Sequence, residues 1–201
     1  MQENILTKGE RTRAELIESA HFLFLEKGYH GTSMRDIARH AGIAVAGIYN
    51  HFKGKDEIFS AVLLNYHPYL AVLPAMNAAE GKTVQEFIQD AARRMVESLG
   101  YRPDFIKLMF IELVEFNGSH IANMFEVFFP QVMEFARQLN SKEGRLRPIP
   151  IPILVRAFIG LFFSYVMTEL LFANQLPEEM KVHSLDHFVD IYLNGILEDG
   201  E

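Results

Sequence analysis

Cysteine is absent from all 201 residues. That excludes disulfides and thiolate metal sites and fits a reducing compartment. The marks of catalysis are missing too: there is no nucleophile elbow, no phosphate-binding glycine loop and no set of acids at metal-ligand spacing. No period-two alternation indicates strands, and no internal repeat is present. The opening stretch MQENILTKGERTRAEL is polar and lacks the apolar core of a signal peptide. Long uncharged runs are scarce. The most apolar stretch, Ile151 to Ala173, has Pro148, Pro150 and Pro152 at its start and is interrupted by Arg156 and Glu169. The uncharged run between those two charges covers only Ala157 to Thr168, short of the roughly 18–20 residues a membrane span needs. A buried helix is expected there, in a cytoplasmic protein with no membrane partner and no cofactor.

What is present is a globular composition, 49% apolar, enough for a sizeable core in one or two domains. The net charge is −7, but its distribution is uneven. Up to Glu57 there are eight Lys/Arg and eight Asp/Glu, so the whole excess lies beyond. Half of the eight histidines, His21, His30, His40 and His51, also fall in this first part. A neutral head on an acidic body lets the head's cations gather on one face while the body repels phosphate.

Helical periodicity covers almost the whole chain. A first helix is expected over Arg11–Lys27, with Leu16, Ile17, Ala20, Leu23 and Phe24 on one face and Gly28 as a left-handed cap. Ser33 opens a second helix, with Asp36 three residues on as in a capping box. Gly42 makes a turn and Ile43 plugs the angle. A third helix is expected over Ala44–Phe52, and a fourth from Lys55 to Tyr66, with Pro68 kinking or ending it. Further helices are expected near 84–99, 103–117, 120–140, 152–174 and 184–198, about nine in all. Pro130 should bend or split the 120–140 segment.

Residues 33–59, SMRDIARHAGIAVAGIYNHFKGKDEIF, have the layout of a helix-turn-helix. Val45, Ala46 and Gly47 are small, so the backbone can approach bases closely, and their apolar atoms suit thymine methyl groups. Arg35 could reach a guanine. Tyr49, His51 and Lys55 offer donors to phosphate oxygens, with Asn50 beside them. The N-termini of the second and fourth helices add backbone N–H groups and positive dipole ends.

Gly28-Tyr29-x-x-Thr32-Ser33, then Ile37-Ala38-x-x-Ala41-Gly42-Ile43, then Ile48-Tyr49-x-x-Phe52-x-x-Lys55 resembles the N-terminal domain of TetR/AcrR-type transcriptional regulators, over about residues 10–60. The resemblance implies an all-α homodimer: a three-helix DNA-binding head over 1–54, and over 55–201 a larger helical bundle that dimerises and binds a small molecule. Ligand binding then changes the spacing of the heads and releases a palindromic operator. The resemblance puts Thr32, Ser33, Tyr49 and Lys55 at phosphate-contacting positions and Arg35, Val45, Ala46 and Gly47 at base-facing ones. The sequence departs from the family at Ala44, where many members carry Ser or Thr as N-cap, a loss of about 1 kcal/mol. Polar residues are also common where Val45 stands.

Thirteen of the seventeen phenylalanines lie from Phe87 onward. A body of Phe and Met can hold an apolar cavity, although core filling accounts as well for any one of them. Phe110 and Phe128 are candidates for the lining. The stretch 105–116, FIKLMFIELVEF, reads as a centrally buried helix, with Glu112 at the edge of its polar side. Phe158, Phe162, Tyr165 and Glu169 share a helical face, which would suit an apolar and even cationic effector. Alternatively Glu169 pairs with Arg93, Arg94, Arg102 or Arg137. Ala157, Gly160, Ser164 and Thr168 form a stripe of small residues, read either as a subunit interface or as close packing within the subunit. The resemblance favours the interface, completed by Leu185, Phe188, Val189, Tyr192 and Ile196. His183 and His187 with Asp186 and Asp190 could hold a metal, but they suit a solvated first helical turn better, and no metal is expected. The alternative to a regulator is a helical hydrophobic-ligand sensor, carrier or assembly factor that keeps the head without operator control.

Overall fold

The computed structural model describes residues 7–99, 103–172 and 174–197. Among them the helices are α1 (Lys8–Lys27), α2 (Met34–His40), α3 (Val45–Ile48), α4 (Lys55–Tyr66), α5 (Tyr69–Asn77), α6 (Val84–Leu99), α7 (Pro103–Phe116), α8 (Ser119–Asn140), α9 (Ile151–Phe172), α10 (Glu178–Lys181) and α11 (Ser184–Ile196). No strand occurs among the described residues, only the isolated bridges Thr83–Glu143 and Leu146–Leu197. The all-α expectation holds, with α5 and α10 added to the nine helices read from the sequence. Arg102, Ala173 and residue 198 lie outside the described residues.

The chain packs as two compact units. Among the described residues, one takes 7–67 and 104–124; the other takes 68–99, 103, 125–172 and 174–197. The expected boundary at 54/55 falls where α4 begins, and by packing α4 belongs wholly to the first unit.

In the first unit, α1 starts three residues earlier than its apolar face suggests. Thr7 caps it: the Glu10 N–H donates to Thr7 Oγ1 at 3.3 Å, and the Thr7 N–H donates to Glu10 Oε2 at 2.8 Å. This T-x-x-E box is a sequence signal in its own right. Gly28 ends α1 at φ 72°, ψ 173°, not in the left-handed helical conformation expected but in a region open essentially to glycine alone. Leu16, Ala20, Leu23 and Phe24 of α1 form a core with Ile37, Ala38, Ile48, Phe52, Ile58, Phe59 and Val62. α7 buries Phe105, Ile106 and Leu108 but exposes Phe110, Leu113 and Val114, the last at 73%. The expectation of an all-round buried helix is corrected: its charged edge is narrow, but a second apolar side faces outward.

Helix α4 ends because His67 precedes proline. Pro68 excludes its neighbour from helical dihedrals, and His67 is extended at φ −66°, ψ 125°. The same proline, with φ preset for a first helical turn, then opens α5.

In the second unit α6, α9 and α11 pack together. The rings of Phe87, Phe135, Phe158 and Phe162 follow one another at 5.2, 5.3 and 4.6 Å, and Tyr192 meets Phe158 edge-on at 5.4 Å. The Tyr192 hydroxyl donates to the Leu154 carbonyl at 2.8 Å, and burial raises its pKa. Pro130 lies inside α8 without splitting it. Helix α9, 22 residues or about 33 Å, is long and apolar enough by length and composition alone to cross a membrane despite Arg156 and Glu169, as is the stretch Lys55–Asn77. The expectation of a buried helix is corrected, since only one face of α9, Leu154, Val155, Phe158, Phe162 and Val166, is buried.

Candidate nucleic-acid interface

The head is built from short-range signals. Ser33 caps α2, accepting the Asp36 N–H at 3.2 Å while the Asp36 carboxylate accepts the Ser33 N–H at 3.1 Å. The Ser33 hydroxyl also donates to the Asp36 carboxylate, and with the Ser33 N–H it holds that carboxyl below its ordinary pKa. At the turn, Gly42 takes φ 69° and the Ile43 N–H donates to the Ala38 carbonyl at 2.9 Å. Helix α3 then begins at Val45 with no side-chain cap on Ala44, as the sequence indicates. It is shorter than expected. Its α-helical part stops at Ile48, and the Asn50 and His51 N–H groups bond back three residues to Gly47 and Ile48. Tyr49, Asn50 and His51 therefore sit in tight turns.

Arg35, Val45, Ala46, Tyr49 and Asn50 are exposed, Tyr49 at 55%, while His51 and Gly47 are half-buried. A Cβ on Gly47 would lie 3.1 Å from Ile43 Cγ2. A larger residue there would have to push the Ile43 methyl aside by a few tenths of an ångström. Two expected phosphate contacts are turned inward. The Thr32 side chain is 1% exposed, and its hydroxyl lies 2.9 Å from the Gly28 carbonyl and 3.2 Å from that of Leu23. The hydroxyl holds the α1–α2 turn and does not face solvent. Lys55 Nζ donates to the carbonyls of Tyr29 at 2.6 Å and Thr32 at 2.8 Å. Burial holds its pKa below that of an ordinary lysine, against the opposing pull of Glu115.

Sequence reasoning missed a knot of side chains behind this surface. Glu112 on α7 is fully buried and accepts the His120 N–H at 2.7 Å and the Ile121 N–H at 3.3 Å. It thereby supplies the cap of α8 from another helix, after Asn117 and Gly118 have turned the chain at φ 52° and 78°. His120 Nδ1 meets Glu112 at 2.8 Å, and Nε2 lies 3.4 Å from Asp56 in the first turn of α4. His30 pairs with Glu115 at 2.6 Å. Arg13 stacks over Phe52, 4.7 Å from its centroid. Glu112 was a candidate for the effector; its oxygens are taken by these donors, and the Asn-Gly corner was the available clue.

The other effector candidates are dispersed among structural roles. Phe158 and Phe162 are fully buried in the ring stack, and Phe128 packs edge-on to Tyr69 at 5.2 Å. Tyr165 lies 3.3 Å from the Ser184 hydroxyl and against Phe188. Phe110 is exposed and Glu169 half-buried. Arg93 and Arg94 pair with Asp90, and Arg137 pairs with Glu134. None of the effector candidates lines the cleft of about 510 Å³ between α6 and α11, which is edged by Glu86, Asp90, Arg93, Asp186 and Asp190, nor the cleft of about 470 Å³ between α1 and α4. Among the described residues no cluster suits a metal ion.

The small-residue stripe resolves clearly. Ala157, Gly160 and Ser164 are exposed and Thr168 half-buried, and a Cβ on Gly160 would meet nothing within 4 Å. Ala157, Gly160 and Ser164 are thus not closely packed by the described part of the chain. On α11 the expectation is corrected: Val189, Tyr192 and Ile196 are buried within the chain. Leu185 and Phe188 are half-buried, and the exposed positions are Asp186, His187, Asp190, Ile191, Asn194 and Gly195.

A model of the family described as "Bacterial regulatory proteins, tetR family" matches residues 16–62. Over 190 residues, 94% of this chain and 98% of the relative, the sequence is 21% identical to the "Uncharacterized HTH-type transcriptional regulator YvkB" of Bacillus subtilis (strain 168). Over 58 residues, 29% of each chain, it is 40% identical to the "HTH-type transcriptional repressor KstR2" of Mycobacterium tuberculosis (strain CDC 1551 / Oshkosh). The fold is shared with the crystal structure of NalD, the secondary repressor of the MexAB-OprM multidrug efflux pump in Pseudomonas aeruginosa. That match has a TM-score of 0.67 and 23% identity, over 96% of this chain and 100% of that one.

Proposed function

The chain belongs to the tetR family of bacterial regulatory proteins, transcriptional regulators that bind DNA and are not enzymes, and we propose that it is a cytoplasmic repressor bound as a homodimer to a palindromic operator and released by a small, largely apolar molecule. Residues 1–54 read the DNA; residues 55–201 carry the effector site and the partner copy. The observation that carries the reading is the set of exposed side chains on the helix-turn-helix: Arg35, Val45, Ala46, Tyr49 and Asn50. Arg35 reads a guanine, Val45 and Ala46 meet thymine methyl groups, and Tyr49, Asn50 and His51 hold phosphates with the capped N-terminus of α2 at Ser33. Supporting the homodimer is the exposed stripe Ala157, Gly160 and Ser164, with Ile153 and Ile191 exposed as well. The apolar effector rests on the Phe- and Met-rich body, and native mass spectrometry of the purified protein should find a retained apolar molecule.

Fluorescence anisotropy against duplexes that the protein selects from a random-sequence pool tests the reading. Binding should be sequence-selective and fall steeply with salt. Arg35→Ala should relax the preference at one base pair per half-site, costing about 1–3 kcal/mol of discrimination. Weak binding, equal for all sequences, would favour a hydrophobic-ligand carrier that keeps the head without operator control.

A further inference from the structure

His120 stands in the first turn of α8, where α4, α7 and α8 meet. Its side chain is buried, and both ring nitrogens face carboxylates. Nδ1 lies 2.8 Å from Glu112 of α7, and Nε2 lies 3.4 Å from Asp56 in the first turn of α4. Phe59 and Phe116 enclose the ring edge-on at 5.7 and 4.5 Å. Other charged groups of α4 and α7 have partners of their own. Glu115 pairs with His30, Glu57 accepts the Lys53 N–H, and Lys55 donates to the carbonyls of Tyr29 and Thr32.

The two carboxylates make different demands on the ring. Glu112 is fully buried, and its Oε1 already accepts the His120 and Ile121 N–H groups. Its Oε2 needs a donor from Nδ1, since a ring lone pair at that distance would repel it. A neutral imidazole has one N–H. With that proton on Nδ1, Nε2 turns a lone pair towards Asp56. An imidazolium donates from both nitrogens. The Glu112 contact is therefore attractive in either charge state, and the Asp56 contact in only one.

We propose that His120 is a proton-operated clasp between α8 and α4. With a second proton, on Nε2, the ring holds the first turn of α4 through Asp56. Without it that hold is lost, while Glu112 still caps α8. The hold is present at the acid end of the range in which histidine titrates and absent at the alkaline end. The clasp lies in the unit that carries the helix-turn-helix, and α4 follows that motif directly. It requires no DNA, so its loss and a loss of DNA binding are separate observations.

Urea unfolding of the full chain at about pH 5.5 and about pH 8, the two ends of that range, tests the clasp through Asp56. This side chain is 69% exposed, so replacing it leaves the core intact. Asp56→Asn should lower the folding equilibrium constant roughly two- to fivefold more at the acid value than at the alkaline one, the size of a partly exposed ion pair. Any helix-dipole contribution of Asp56 is the same at both values and drops out. The pairs His30–Glu115 and His21–Asp104 respond to the same protons, but they are present in every variant and cancel. In a His120→Gln background, Asp56→Asn should cost the same at both values. An equal cost at both values in the native background overturns the proposal. So does a pH-dependent cost that survives His120→Gln. Should His120→Gln fail to fold, nitrogen NMR of the histidine rings decides. His120 should keep its Nε2 proton to higher pH in the native chain than in Asp56→Asn, and identical titrations overturn the clasp.

Discussion

His67 is buried at the end of α4 with its ring edge-on to Phe105 at 5.3 Å. Burial disfavours the charged imidazole and lowers its pKa from 6.5 to about 4. The unfolded chain therefore binds a proton in a range where the folded chain does not. The stability this provides is complete above the unfolded value and is lost as pH falls from about 6.5 towards 4, with about 3 kcal/mol at stake by linkage. Urea unfolding between pH 7 and 4 should show this loss on top of the carboxylate background, and His67→Gln should flatten it. An unchanged pH profile in that variant would exclude His67 as the source. Side chains such as this one mark where reading the sequence stops. A hydroxyl at Thr32 or an ammonium at Lys55 has the same spacing whether it faces a phosphate or a backbone carbonyl. Only the packed turn decides, and it turns both inward. Glu112 likewise read as a polar edge because the amides it caps lie eight and nine residues away, across the corner at Asn117 and Gly118.

Helix α3 has four residues and no side-chain cap, so its first N–H groups depend on solvent or a ligand. Ala44→Ser should supply the missing acceptor and stabilise the head by about 1 kcal/mol. Amide hydrogen exchange at Gly47 and Ile48 should slow in that variant, and exchange at the native rate would show that Ala44 is not a usable cap position. The helices that were legible carry chemical punctuation. The Ser33–Asp36 box starts α2 and Gly42 makes the turn where the sequence places them. The Thr7–Glu10 box was equally present but lay outside the apolar face. Helix α5 was hidden because Pro68 reads as a stop, whereas a proline that ends one helix also suits the first turn of the next. Helix α10 spans only Glu178–Lys181, too short for any periodicity. The third helix was drawn too long because Ile48 and Phe52 keep helical spacing through turns that are no longer α-helical.

For the proposed homodimer the outer side of α9 matters most. An apolar stripe says that a face is covered, not by what. That is why Val189, Tyr192 and Ile196 were expected at a subunit contact and instead line the chain's own core. The small residues of α9 carry the opposite message, since Ala157, Gly160 and Ser164 are open in the single chain. Gly160→Arg should leave each subunit folded, because a side chain there meets no neighbour within 4 Å, yet it should yield monomers in sedimentation experiments. A persistent dimer would move the interface elsewhere. The same open position has a use apart from assembly. The chain contains no cysteine, so a thiol introduced at residue 160 would be unique, and cysteine suits a helix better than the glycine it replaces. A spin label or fluorophore attached there would report on that face alone, with no background from native thiols.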